Sequence, residues 1–259
     1  MKFRDNGISE KGVTERVFDL EVSGHNVPGI LWTPTGAKGP RPLVLLGHGG
    51  TQHKRAAHIL TLSRWFVRHS NFAAAAIDAV GHGERLPPGV KQSDLSDEER
   101  RKNIGSENAR GTMIEDWKKT LDALQKLDEI GNKGPIGYYG VSMGTGFGLP
   151  FVAAEPRIKA VVFGLAAARN EETLKLAAQI QCPLLFVWQL DDRMTPESVY
   201  ALIQAFGTKD KRLHANPGGH TQMPLDEFKT VERFLTERLL EAAGSKEKPE
   251  EGAHLMAQN

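Results

Sequence analysis

Residues 136–154 read IGYYGVSMGTGFGLPFVAA. Ile136–Tyr139 is a short apolar and aromatic run that reads as a strand, and 143–154 reads as a Gly-rich helix. Between them lies Gly140-Val141-Ser142-Met143-Gly144, a G-x-S-x-G element. A serine on so sharp a strand-to-helix turn is held in a strained backbone, and side chains two residues to either side would collide. Glycines at 140 and 144 remove that collision. The turn lifts the Ser142 hydroxyl clear of the sheet and leaves the first free amides of the helix beside it, where negative charge is favoured. The bland alternative is a helix packed close to a sheet, which would also account for Gly146 and Gly148. The pentapeptide alone recurs by chance, so its weight comes from the elements around it.

Those elements alternate. Val17–Val22 and Gly29–Thr33 flank the turn-rich Ser23-Gly24-His25-Asn26 and predict an antiparallel hairpin. Pro42–Leu46 and Phe72–Ile77 are continuous apolar runs, the pattern of strands buried on both faces. The segment from Ala56 to His69 carries Ile59, Leu62, Trp65 and Phe66 on one helical stripe. Met113, Trp117, Leu121, Leu124 and Leu127 predict a helix over 112–130. Beyond the G-x-S-x-G element come strands at Ala160–Phe163, Leu184–Trp188 and Arg212–Ala215. Helices are expected over 170–180, 197–205 and 223–241. Strands alternating with helices imply right-handed crossovers and a mostly parallel sheet covered on both faces. In such a sheet the ligand site lies beyond the carboxyl ends of the strands.

The loops just past the strands are therefore the places to look for chemistry. Behind Leu184–Trp188 come Asp191 and Asp192, either of which could accept the Nδ1 proton of a histidine and fix its tautomer. Spacing alone does not choose between them, and Thr195 before Pro196 is better placed to cap the next helix. Behind Arg212–Ala215 comes Asn216-Pro217-Gly218-Gly219-His220, a loop whose unusual backbone angles let a histidine reach inward. Behind Pro42–Leu46 comes Gly47-His48-Gly49-Gly50-Thr51. A tetrahedral intermediate needs two amide donors aimed at its oxygen. Met143, next to the serine, would give one, and Gly50 the other, with Thr51 as the alternative. Thr51 and His48 are expected to border the bound molecule. For His48, as for His82 in Asp78-Ala79-Val80-Gly81-His82-Gly83, loop bracing is a better reading than a second base.

The chain has 259 residues, 39% hydrophobic and 25% charged, which excludes disordered and fibrous classes. A single domain over 1–243 is expected, with a frayed, polar tail over 244–259. Lys+Arg 33 against Asp+Glu 32 argues against a nucleic-acid partner. One cysteine, Cys182, leaves no disulfide framework and no Cys-based zinc cluster. No stretch approaches the ~20 apolar residues that span a bilayer, and no signal-peptide pattern opens the chain, so a cytoplasmic location away from membranes is expected.

The residues so assembled resemble the α/β-hydrolase superfamily, most of all its dienelactone-hydrolase-like and small serine esterase branches, over roughly 13–241. The resemblance rests on His48-Gly49-Gly50, Asp78-x-x-Gly81-His82-Gly83, Gly140-x-Ser142-x-Gly144, Asp192-x-x-Thr195-Pro196 and Gly218-Gly219-His220. It implies an α/β-hydrolase fold and a Ser142-His220-Asp192 triad acting on a small ester through an acyl-enzyme, without cofactor or metal. Lactones, thioesters and short peptides are the alternative substrates, acyl transfer the alternative outcome, and a non-catalytic binding protein a remoter one. The family loop also implies Asp192 over Asp191 as the acid. Gln189 stands where that loop usually has glycine, and Ser142 where authentic dienelactone hydrolases have cysteine. No large cap fits after Phe163, which leaves Glu84–Gly111, with its charged run Asp97–Lys102, as the one sizeable cover.

Overall fold

The computed structural model describes residues 1–96, 98–99 and 107–244. Among the described residues, ten strands form one sheet. They are β1 (Lys2–Phe3), β2 (Ile8–Glu10), β3 (Val13–Val22), β4 (His25–Pro34) and β5 (Leu43–Gly47). The rest are β6 (Ala73–Ile77), β7 (Ile136–Val141), β8 (Ile158–Gly164), β9 (Leu184–Gln189) and β10 (Lys211–Asn216). The helices among the described residues are α1 (Ala57–Ser70), α2 (Glu107–Leu124), α3 (Met143–Ala153), α4 (Glu171–Gln179), α5 (Pro196–Ala205) and α6 (Leu225–Ala242).

The sheet order is β1-β3-β4-β6-β5-β7-β8-β9-β10, with β2 also on β3. Strands β5 to β10 are mutually parallel; β4 joins them antiparallel to β6 and carries the antiparallel β1–β3 region beyond. The expected hairpin is longer than its apolar core. Ser23 (φ 45°) and Gly24 (φ 82°) form a two-residue turn whose twist matches the strands, so pairing runs on to Val13↔Pro34. The sequence reading omits β1 and β2, which are too short and too exposed to carry an alternating pattern.

Alternation along the strands builds two cores. Leu43, Leu45, Ala73, Ala75, Tyr138, Phe163 and Phe186 face α2 to α5, with Trp117 and Phe151 packed among them. Val44, Leu46, Ala74, Ala76, Tyr139, Val162 and Val187 face α1 and α6. Helix α1 contributes Ile59, Leu62 and Phe66, all at 0% exposure, each stabilising the fold by about 1.5–3 kcal/mol on burial.

Helix α2 differs from the predicted 112–130 segment at both ends. It begins at Glu107, because Ala109 extends the apolar stripe one turn back from Met113 and Gly111 meets open space. It stops at Leu124, and the Leu127 and Ile130 amides then bond three residues back, so Leu127 still packs on the core. Only six residues separate β8 from α4, so no cap is inserted there. In the Glu84–Gly111 cover the described part contains a 3-10 turn at Gln92–Asp94, while Asp97 and 100–106 lie outside the described residues, as does the expected tail from 245 onward. No described helix is long and apolar enough to cross a membrane.

Candidate active site

Ser142 sits between β7 and α3 at φ 56° and ψ −117°, in the left-handed half of the map that a serine rarely adopts. The surroundings force it there. A Cβ on Gly140 would lie 2.5 Å from the Gly144 carbonyl oxygen, and one on Gly144 would lie 2.5 Å from the Gly47 carbonyl oxygen. The chain can turn this sharply against β5 only with glycine at both places. Gly148 answers to the bland reading, since a Cβ there would meet the Tyr138 ring at 2.3 Å, whereas Gly146 faces open space. The buried Thr145 Oγ1 lies 2.8 and 2.7 Å from the Gly140 and Gly164 carbonyl oxygens, which share its one hydrogen, and accepts the Gly164 amide at 3.0 Å. Ser142 N donates to Gly164 O at 2.9 Å. The Tyr138 hydroxyl donates to Gly144 O at 2.9 Å. These braces are invisible in sequence, where Thr145 is only a polar residue in a glycine-rich helix.

The loops after β9 and β10 bring Asp192 and His220 to the serine. His220 Nδ1 lies 2.6 Å from Asp192 Oδ2, and its Nε2 lies 2.8 Å from Ser142 Oγ. The Asp192 side chain is fully buried while His220 is about a third exposed, at 0% and 32%. Asp191 points elsewhere: its Oδ2 accepts from Gly218 N at 2.9 Å. Gln189, at 0% exposure, donates its Nε2 to Pro217 O at 3.4 Å, so the larger residue fills the space between the two loops.

On the other side of β7, the turn after β5 packs on the start of α3. The Gly49 amide donates to Gln52 Oε1 at 3.0 Å. The Gly50 and Thr51 amides make no hydrogen bond among the described residues, and Thr51 turns the chain at φ 59°. Met143 is the first residue of α3, where the amide has no intrahelical acceptor. His48 is buried, donates Nδ1–H to Gly49 O at 2.8 Å and accepts the Ala79 amide on Nε2 at 3.0 Å. Both ring nitrogens are thus spent on backbone, which ties the β5 turn to the β6 turn and leaves no ring nitrogen for a bound molecule. Burial pushes the His48 pKa down to about 4, against the opposing Gly49 bond.

The Asp78 motif has a comparable structural task. Its carboxylate accepts from the Lys54 amide (2.8 Å), Lys54 Nζ (2.6 Å) and the Glu84 amide (2.9 Å). Burial opposes ionisation of Asp78, but the Lys54 ammonium and these amides outweigh it and hold the carboxyl below its usual range. Gly83, at φ 55°, is a glycine because a Cβ would lie 2.4 Å from that carboxylate.

A cleft of about 50 Å³ opens beside Ser142. Gly146, Leu149, Ala166, Leu176 and Leu202 supply its apolar lining, and Arg110, Arg169 and Glu172 stand among its polar residues. Of these, only Gly146 stands out in the sequence, and there as a packing glycine. No cluster of three or more metal-binding side chains occurs among the described residues.

No protein-family profile matches the chain, and no curated protein matches it. Solved structures do. An esterase described as cold-adapted, from an Arctic intertidal metagenomic library, is 34% identical, covering 92% of this chain and 100% of its own, with a TM-score of 0.77. A dienelactone hydrolase from Anabaena variabilis shares the fold at 19% identity over 89% of this chain and 98% of its own, with a TM-score of 0.64. Acetyl xylan esterase 1 from Thermoanaerobacterium sp. does so at 16% over 91% and 87%, with a TM-score of 0.68. The chain belongs to the family of that 34% identical esterase and shares the α/β-hydrolase fold of the dienelactone hydrolase and the xylan esterase.

Proposed function

We propose that the protein is a serine hydrolase that cleaves carboxylic esters of small or short-chain acyl groups. Ser142 Oγ attacks the carbonyl carbon while His220 Nε2 takes its proton. The resulting oxyanion is held by the Met143 amide and by Gly50, with Thr51 as the alternative donor. His220 then protonates the leaving alcohol as the C–O bond breaks, giving an acyl-Ser142 intermediate. Water enters, gives its proton to His220 and attacks the acyl carbon; the acid leaves and Ser142 recovers its proton. Asp192 keeps the imidazole in the tautomer with hydrogen on Nδ1 and stabilises its cation.

The observation that carries this reading is the unbroken line of 2.6 and 2.8 Å contacts from Asp192 through His220 to a serine held at positive φ. The 34% identical esterase supports the ester class. The narrow cleft of about 50 Å³ at Ser142 supports a small acyl group. The short link from β8 to α4 supports access without a helical cap.

The test is kcat/KM over p-nitrophenyl esters from two to sixteen carbons, with lactones and thioesters beside them and S142A as control. Turnover is expected to be highest at the short end, to show no jump when substrate aggregates, and to vanish in S142A. A rise toward long chains or a jump on aggregation would overturn the acyl class. Ester turnover retained by folded S142A would overturn the mechanism.

A further inference from the structure

Asp192 and His220 meet through side chains, yet the backbones that carry them are joined one step earlier. In the parallel ladder Gln189 pairs with Asn216, where both strands end. The hydrogen bonding continues past that point. Leu190 N donates to Asn216 O at 2.8 Å, and Asp191 N donates to Gly218 O at 3.1 Å. The Asp191 carboxylate then accepts the Gly218 amide at 2.9 Å. Asp191 therefore holds the peptide groups on both sides of Gly218, once with its own N–H and once with its side chain.

Gly218 sits at φ 103°, a conformation that L side chains rarely adopt, and a Cβ there would lie 3.0 Å from the Gln222 Cβ. A glycine this free needs something to fix it, and the two bonds from Asp191 do so. Gln222 braces the next residue, accepting the Gly219 amide on Oε1 at 2.7 Å and donating its own amide to Gly219 O at 2.9 Å. His220 is the very next residue. Asp191 adjoins Asp192 in the chain, and Gly218 lies two residues before His220.

We infer that Asp191 is a positioning residue, one that sets the approach of His220 to Ser142 by clamping Gly218. The inference rests on the hydrolase reading and deepens it. Because Asp191 is exposed and its contact local, its loss is expected to disturb alignment far more than folding. Small misplacements of reacting groups cost up to about 100-fold in rate.

The experiment compares Asp191→Ala with Asp191→Asn, whose side-chain oxygen can still accept the Gly218 amide. D191A is expected to lose about 10–100-fold in kcat with KM within threefold, and to slow reaction of Ser142 with a fluorophosphonate to the same degree. D191N is expected to retain activity within threefold, and the melting temperatures of both are expected to match wild type closely. Should D191A fail to fold, Asp191→Ser, too short to span the same gap, replaces it with the same expected loss. Equal losses in D191A and D191N would overturn the inference, because charge rather than the hydrogen bond would then matter. Full activity in D191A would overturn it as well. Neither result touches the hydrolase reading, which fails separately if S142A stays active.

Discussion

Ser142 is flanked by two pairs of turns that are held in opposite ways. On one side the β5 and β6 turns are locked by buried charge and buried imidazole: Lys54 and Asp78 at 2% and 0% exposure, and His48 bridging to Ala79. On the other side the β9 and β10 loops are joined by bonds near the surface, from Asp191 to Gly218 and from Leu190 to Asn216. The first arrangement couples the shape of the turn to global stability, since breaking a buried ion pair strands a charge. The second lets the histidine loop be adjusted at little cost to the fold. The side proposed to hold an oxyanion is built rigid, and the side that must move a proton is built from local contacts.

Substitutions at the paired aspartates should divide this comparison most sharply. Asp192→Asn favours the wrong imidazole tautomer, and kcat should fall by ~10⁴-fold on that ground. Asp191→Asn should fall by no more than about threefold, because its amide oxygen keeps the bond that aligns Gly218. Activity in D192N with an inactive D191N would mean that the other aspartate is the acid.

The rigid side should fail through stability instead. Lys54→Met leaves the buried Asp78 carboxylate without its ammonium, and unfolding free energy should drop by about 3–5 kcal/mol. Denaturant titration of K54M measures it, and a loss below about 1 kcal/mol would show that the pair is dispensable.

Acid should act on the same side. Burial pushes His48 and His58 down to about 4 from 6.5, so the folded state resists a proton that the unfolded chain accepts. Their contribution is complete above pH 6.5 and is lost as pH falls from there to about 4, by at most about 1.4 kcal/mol per pH unit for each histidine. Asp78, held below its usual range, adds a further loss at still lower pH. The His58 Nε2 is buried without a hydrogen-bond partner among the described residues, so His58→Leu should flatten the decline between pH 6.5 and 4. Melting temperature against pH for wild type and H58L checks this; identical slopes would contradict it.

The smallest effect belongs to the exposed Arg110–Glu172 pair at the cleft, 3.2 Å apart with side chains 32% and 57% exposed. Glu172→Ala should change stability by less than about 1 kcal/mol. A larger loss in thermal denaturation would mean that this pair, too, is structural.

The legibility of the molecule in its sequence divides along the same line. Ser142, the Asp191-Asp192 pair and His220 each stand just past a strand, so periodicity and punctuation bring them forward as candidates. Choosing Asp192 over Asp191 required the family loop, because two adjacent carboxylates look alike until the chain between them turns. The clamps were not legible. Lys54 reaches Asp78 across 24 residues and Asp191 reaches Gly218 across 27, distances set by loop paths that no local pattern encodes. The apolar stripe legible in the sequence begins at Met113, whereas α2 begins at Glu107, and Gly111 between them is tolerated because on an open face it costs only about 1 kcal/mol. The cleft was missed because its walls come from α2, α3, α4 and α5 together.

The central claim is that Ser142 carries the acyl group. Incubation with a fluorophosphonate and then peptide mass spectrometry tests it most directly. A single adduct on Ser142 is expected, absent from S142A and much slower to form in D192N. An adduct on another residue, or undiminished labelling and ester turnover in folded S142A, would contradict it.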